Sequence, residues 1–122
     1  MITVDTRLGP LTGTKTNGVS TFLGIPFAQP PLGDLRFRAP LPITPWTTPH
    51  DGTRWGHQAL QPESPIMSTP NGTQNENCLV LNVYTPAAGP DTGGTGSRPV
   101  LVWIHGGAFT MGSANQYDGS VL

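Results

Sequence analysis

Apolar residues along this chain gather into short runs separated by dense turn signals. Ile2-Thr3-Val4-Asp5 and Leu11-Thr12-Gly13-Thr14 are β-prone runs either side of Leu8-Gly9-Pro10, where a turn is predicted. Asn17-Gly18 is a second turn signal, followed by the run Val19-Ser20-Thr21-Phe22-Leu23. Together they predict a small antiparallel meander. From Pro26 to Pro49 prolines recur too often for a ladder or helix to persist. That stretch should wrap irregularly over a surface, anchored by Phe27, Leu32, Phe37 and Trp46.

Trp55 to Asn77 is polar and loop-like, with turn signals at Pro62, Pro65 and Pro70-Asn71-Gly72. Leu79-Val80-Leu81-Asn82-Val83-Tyr84 alternates as a strand does, with Leu79, Leu81 and Val83 on one face. Ala87 to Arg98 reads as a flexible, exposed connection. Val100 to His105 is apolar at nearly every position, the pattern of a strand buried on both faces. No amphipathic helical period of three turns accompanies it. A doubly buried strand with no helix to cover it implies covering elements outside these residues.

Composition narrows the possibilities. The 122 residues carry a net charge of −1 and only 11% are charged, so no basic stripe marks a nucleic-acid partner. Hydrophobic residues make up 35%, with 16 Gly and 14 Pro, which favours a loop-rich β segment of one domain at most. Cys78 is the only cysteine, so no internal disulfide can form. The Met1-Ile2-Thr3-Val4-Asp5 start lacks a basic region and an apolar core, and no run is long enough to span a bilayer. A cytoplasmic location is the expectation.

The candidate chemistry lies where the last apolar run ends in His105-Gly106-Gly107-Ala108. Adjacent glycines let a chain turn sharply and present main-chain N–H groups to a bound group. In acyl-transfer enzymes such N–H groups stabilise the oxyanion of the tetrahedral intermediate. His50, His57 and His105 show no metal-ligand spacing with Cys78, and no cofactor is implied. Gly93-Gly94-Thr95-Gly96 lacks the strand, Lys and helix that a phosphate loop needs.

Three stretches resemble the N-terminal portion of type-B carboxylesterases, the family of carboxylesterases and cholinesterases. Phe22-Leu23-Gly24-Ile25-Pro26-Phe27-Ala28-Gln29-Pro30-Pro31-Leu32-Gly33, with Leu35-Arg36-Phe37-Arg38-Ala39-Pro40, is similar to its early G-I-P-[FY]-A-x-P-P-x-G…R-F-x-x-P segment. Glu76-Asn77-Cys78-Leu79-Val80-Leu81-Asn82-Val83-Tyr84-Thr85-Pro86 resembles E-D-C-L-Y-L-N-[VI]-[YWF]-x-P, with Asn77 and Val80 departing from it. Pro99 to Phe109 resembles P-V-x-V-W-I-H-G-G-[AG]-F, and Tyr117-Asp118-Gly119 the Y-D-G that often follows.

The resemblance implies an α/β fold: an incomplete α/β-hydrolase, with an N-terminal antiparallel β meander plus first strands of the central sheet and little helix. Residues 1–122 would be the N-terminal part of one domain, truncated before the nucleophile elbow. Leu79–Tyr84 and Val100–His105 would not pair as a hairpin, because a later strand inserts between them.

The N–H groups of Gly107 and Ala108 would be oxyanion-hole donors and Gly106 would permit the turn, with a third donor following the nucleophilic Ser. That Ser is not here: none of Ser20, Ser64, Ser68, Ser97, Ser113 or Ser120 stands in G-x-S-x-G. The triad acid and His would also come later. His105 is implied to organise the loop. Arg36 and Glu76 match a salt bridge of relatives, and Cys78 lacks its usual partner because Ala59-Leu60-Gln61 occupies the C-x-Q position. It is then a buried free thiol.

The expected function is carboxylic ester hydrolysis on a small-molecule ester, with this chain inactive alone and the remainder of the domain needed for folding. The alternative is a non-catalytic, cholinesterase-like binding or adhesion module on the same fold.

Overall fold

The computed structural model describes residues 1–62, 71–86 and 98–122. Strands β1 (Ile2–Thr6), β2 (Gly9–Thr16) and β3 (Val19–Pro26) form the predicted antiparallel meander. β4 (His50–Asp51) lies parallel to β2, and β5 (Val80–Pro86) pairs antiparallel with β3.

Both meander turns are two-residue loops. Thr16 pairs with Val19, leaving Asn17 and Gly18 at φ 51° and 79°, the left-handed pair that matches strand twist. The first turn falls at Arg7-Leu8 instead of Leu8-Gly9-Pro10, since Thr6 pairs with Gly9 and Asp5 with Pro10. The Thr6 hydroxyl donates to the Gly9 carbonyl (2.7 Å) and accepts from the Leu8 N–H (3.1 Å), closing the loop before the proline.

β3 runs past the predicted Leu23 because a bulge carries it there. Phe22 opposes Val83 and Ile25 opposes Leu81, so β3 spends one extra residue across that interval. Gly24 sits in the bulge at φ 60°, and its N–H donates to the Asn82 side chain at 3.0 Å.

Leu11, Phe22, Leu23 and Ala28 are the buried apolar residues among those described. Gly52 links the sheet behind them, donating to Thr12 O and accepting from Leu23 N, both at 2.8 Å.

The bulge is tight. A methyl on Gly24 would lie 2.8 Å from Gly56 N and 3.0 Å from Arg54 O, both main-chain atoms. Gly24→Ala should therefore cost about 2–4 kcal/mol, strain and overpacking together. Gly18→Ala, at φ 79° with open space around its Cβ position, should cost only about 1 kcal/mol. The difference between their chemical-denaturation midpoints measures the packing share.

The Pro-rich stretch is irregular apart from a 3-10 turn at Gly33–Leu35. Trp46 anchors it, its N–H donating to Leu8 O and its indole Nε1 to Pro10 O, each at 2.7 Å. Phe37 does not: it is 99% exposed at φ 57° with the Arg36 guanidinium over its ring. Phe27 and Leu32 are also largely exposed. Apolar character marks these residues for burial, but the described chain brings no surface to them.

β5 starts at Val80, one residue later than predicted. Leu81 and Val83 do share a face, but that face is exposed, while Asn82 and Tyr84 on the opposite face are half-buried. Alternation fixes which residues share a face; it does not say which face is covered.

Val100–Ile104 departs furthest from expectation. Among the described residues it joins no ladder, and its side chains are 63–85% exposed. A strand exists only through a partner's hydrogen bonds, and this segment pairs with neither end strand of the sheet, β1 or β5. It forms no hairpin with β5. Ala87–Ser97, the turn signal at Pro65 and the prolyl part of the Pro70 signal lie outside the described residues.

Candidate active site

The segment after Val100–Ile104 folds back on itself. Gly107 O accepts from Thr110 N (2.9 Å) and Met111 N (3.1 Å), and from the Thr110 hydroxyl (3.1 Å). The backbone is left-handed at Ala108 (φ 52°) and Phe109 (φ 60°), flanked by Gly107 at φ 128° and Gly112 at φ 101°. Two consecutive non-glycine residues with positive φ store roughly 1–3 kcal/mol each, strain that persists only where surroundings hold it. Gly106 itself has ordinary φ and open space at its Cβ position. The conformational freedom assigned to Gly106 by sequence is thus used at Gly107.

Among the described residues, neither the Gly107 N–H nor the Ala108 N–H donates to an acceptor within the protein. Adjacent main-chain donors beside a left-handed turn are the arrangement that anion-binding nests use.

His105 organises this loop. Its Nδ1 bonds Gly106 O at 2.8 Å, and the missing Cβ of Gly112 lets that residue close over both. The other imidazoles are engaged elsewhere, His50 with Gly24 O (3.3 Å) and His57 with Thr73 Oγ1 (2.9 Å). No three His, Cys, Asp or Glu among the described residues come together as a metal site.

The loop is tied to the sheet through polar residues that sequence reasoning missed. Ser113 is the N-cap of a 3-10 turn at Ala114–Gln116, in a reciprocal capping box with Gln116. Within that turn Asn115 is 4% exposed. Its Nδ2 donates to Gly56 O (2.9 Å) and Asn71 O (3.2 Å), and its Oδ1 accepts from Asn82 Nδ2 (3.2 Å). Asn82 in turn holds the Gly24 bulge. An asparagine inside an otherwise apolar strand run was the available clue; Asn115 had none beyond the S-x-x-Q spacing.

Trp103 packs edge-on against Tyr117 at 5.4 Å, and Asp118 caps a 3-10 turn at Gly119–Val121, the turn in which Ser120 lies. The Ser120 hydroxyl and N–H hold the Asp118 carboxyl below its usual range, while burial pushes the Tyr84 phenol up. A groove of about 570 Å³ between Thr21, Tyr84 and Asp118 is not lined by Gly106, Gly107 or Ala108. Ser64, Ser68 and Ser97 lie outside the described residues.

Arg36 and Glu76 meet as expected, Nε to Oε1 at 2.6 Å, with both side chains partly exposed. Such a pair contributes about 0–1 kcal/mol. Cys78 is a free thiol, half-buried rather than fully buried. Desolvation pushes its thiol up, and the charge of Glu76 adds to this. Because the thiolate is the reactive form, Cys78 should be alkylated by iodoacetamide several times more slowly than free cysteine at pH 8. The inflection of its rate profile should fall at higher pH than that of the free amino acid.

The model of the carboxylesterase family matches residues 1–122. Carboxylesterase 3 of Homo sapiens is 47% identical over 133 aligned residues, covering 98% of this chain and 23% of the relative. Cocaine esterase of Homo sapiens is 45% identical over 127 residues, covering 94% and 22%. Among solved structures, a PNB esterase superposes with a TM-score of 0.79 at 42% identity, over 90% of this chain and 22% of the other. The chain therefore spans under a quarter of the length of the relatives it matches. Among the described residues, no helix is long and apolar enough to cross a membrane.

Proposed function

The chain belongs to the carboxylesterase family, its sheet being part of the α/β-hydrolase esterase fold, and from that premise we propose that its glycine loop serves the hydrolysis of small carboxylic esters. The observation that carries this reading is the pair of open N–H groups at Gly107 and Ala108, held beside a left-handed turn whose own carbonyl is satisfied. Residues 1–122 are then the N-terminal part of one hydrolase domain.

In this scheme a serine from the rest of the domain attacks the ester carbonyl while a histidine takes its proton. Negative charge gathers on the former carbonyl oxygen. The Gly107 and Ala108 N–H groups donate to that oxygen and lower the barrier to the tetrahedral intermediate. Collapse expels the alcohol, which receives the proton from histidine, and water repeats the sequence on the acyl-enzyme. In this scheme proton transfer falls to the histidine of the rest of the domain, while His105, with Nδ1 2.8 Å from Gly106 O, belongs to the loop itself.

The complete protein should be labelled by a fluorophosphonate and should hydrolyse 4-nitrophenyl butyrate. The isolated 122 residues should do neither, and should lack a cooperative thermal transition, because the rest of the domain supplies nucleophile and cover. A complete protein that neither labels nor turns over overturns the esterase reading and favours a binding module on the same fold. Hydrolysis by the isolated chain that survives replacing each serine by alanine overturns the division of labour.

A further inference from the structure

We propose that Gln61 is a positioning residue of the oxyanion loop, an inference that rests on the esterase reading above. Its primary amide grips both main-chain groups of one residue 51 positions away. Gly112 N–H donates to Gln61 Oε1 at 2.7 Å, and Gln61 Nε2 donates to Gly112 O at 3.1 Å. Two opposed bonds to a single residue fix its rotation as well as its place. A carboxylate could supply only the acceptor.

The gripped residue is the one on which the loop closes. Gly112 lies against His105 and Gly106, its missing Cβ position 2.5 Å from Gly106 O and 2.9 Å from His105 Nδ1. Gly107 is braced in the same way, with Met111 O 1.8 Å from its missing Cβ position. The direction of the Gly107 and Ala108 N–H groups thus depends on where Gly112 is held. The turn's own bonds to Gly107 O end at Met111, one residue short of Gly112.

Gln61 is itself held. Its N–H donates to Gln74 Oε1 at 2.9 Å, and Nε2 also reaches Ala59 O at 3.1 Å. Nearby, Gln58 and Gln74 form a parallel bridge, through Gln58 N to Thr73 O and Asn75 N to Gln58 O at 2.9 Å each. The amide therefore acts from a braced backbone. Its effect on ester hydrolysis passes through Gly112, without contact to substrate.

The test uses the complete protein, with active sites counted by fluorophosphonate titration so that misfolded molecules drop out. Gln61→Ala should lower kcat per titrated site for 4-nitrophenyl butyrate by roughly tenfold to a hundredfold, with KM changed less than about twofold. Gln61→Glu keeps the acceptor for Gly112 N–H and loses the donor, so its kcat should fall in between. A trifluoromethyl ketone, whose tetrahedral adduct places an oxyanion on the donors, should lose affinity in parallel with kcat. A residue that merely supports folding would reduce the number of titrated sites and leave both quantities unchanged.

Unchanged kcat per site, or unchanged ketone affinity, in both variants overturns the assignment while leaving the esterase reading intact. A wild-type protein that does not hydrolyse the ester overturns both.

Discussion

Gly107→Ala in the complete protein should lower kcat/KM for a short aryl ester by roughly a hundredfold to a thousandfold, the range for losing an oxyanion donor. The cause is geometric. Gly107 stands at φ 128°, outside the regions alanine occupies, and a methyl there would lie 1.8 Å from Met111 O and 2.6 Å from Met111 C. Both are main-chain atoms of the turn that Gly107 O itself closes, so relief must come from opening the turn. The two N–H groups then swing away from a common target. Gly106→Ala is the control: its methyl meets nothing within 4 Å, and its loss should be at least about tenfold smaller. Steady-state kinetics on both variants decide the matter; equal losses would mean that bulk, not backbone conformation, governs this loop.

Asn115→Ala should be the most damaging substitution for stability, costing about 3–5 kcal/mol in denaturant unfolding of the complete protein. Truncation strips the donor from Gly56 O and the acceptor from Asn82 Nδ2, and leaves Asn71 O with Gln58 Nε2 alone. Each buried group left unmatched costs about 1–3 kcal/mol, and the members of one network do not add independently. Asn115→Asp should not rescue, because a carboxylate would face two carbonyl oxygens where an NH₂ now donates. Asn82→Ala should cost less, since it orphans only the Gly24 N–H and one oxygen of Asn115. A loss below about 1 kcal/mol for Asn115→Ala would show that water replaces the network.

Much of the frame was legible because its signals are local. Asn17-Gly18 demands a left-handed two-residue turn, proline density forbids regular structure across the wrap, and Leu81 and Val83 share a face by alternation. Thr6 is a counterexample at short range: its hydroxyl closes the first turn ahead of the Gly9-Pro10 signal. Position in the fold was harder to read. The Val100–Ile104 pattern reports a preference for extended backbone, whereas a strand needs an edge to pair with. Phe37 carries the same lesson for burial. Within the site, His105-Gly106-Gly107-Ala108 located the loop, and family likeness supplied the role of His105. What holds the loop was invisible, because Gln61, Asn71 and Asn115 lie in segments with no periodicity. Their partners are 33 to 59 positions away.

That spacing has a kinetic consequence. β1, β2 and β3 join through two-residue turns, so their pairing can form with little chain entropy to overcome. The asparagine network bonds Gly24 to Asn82 across 58 positions and Gly56 to Asn115 across 59, contacts that must wait until long loops close. The glycine loop thus belongs to the late-setting part of the molecule, and the same hierarchy run backwards makes it an early part to loosen. Amides of the meander should then exchange with solvent deuterium last, and those of the glycine loop first.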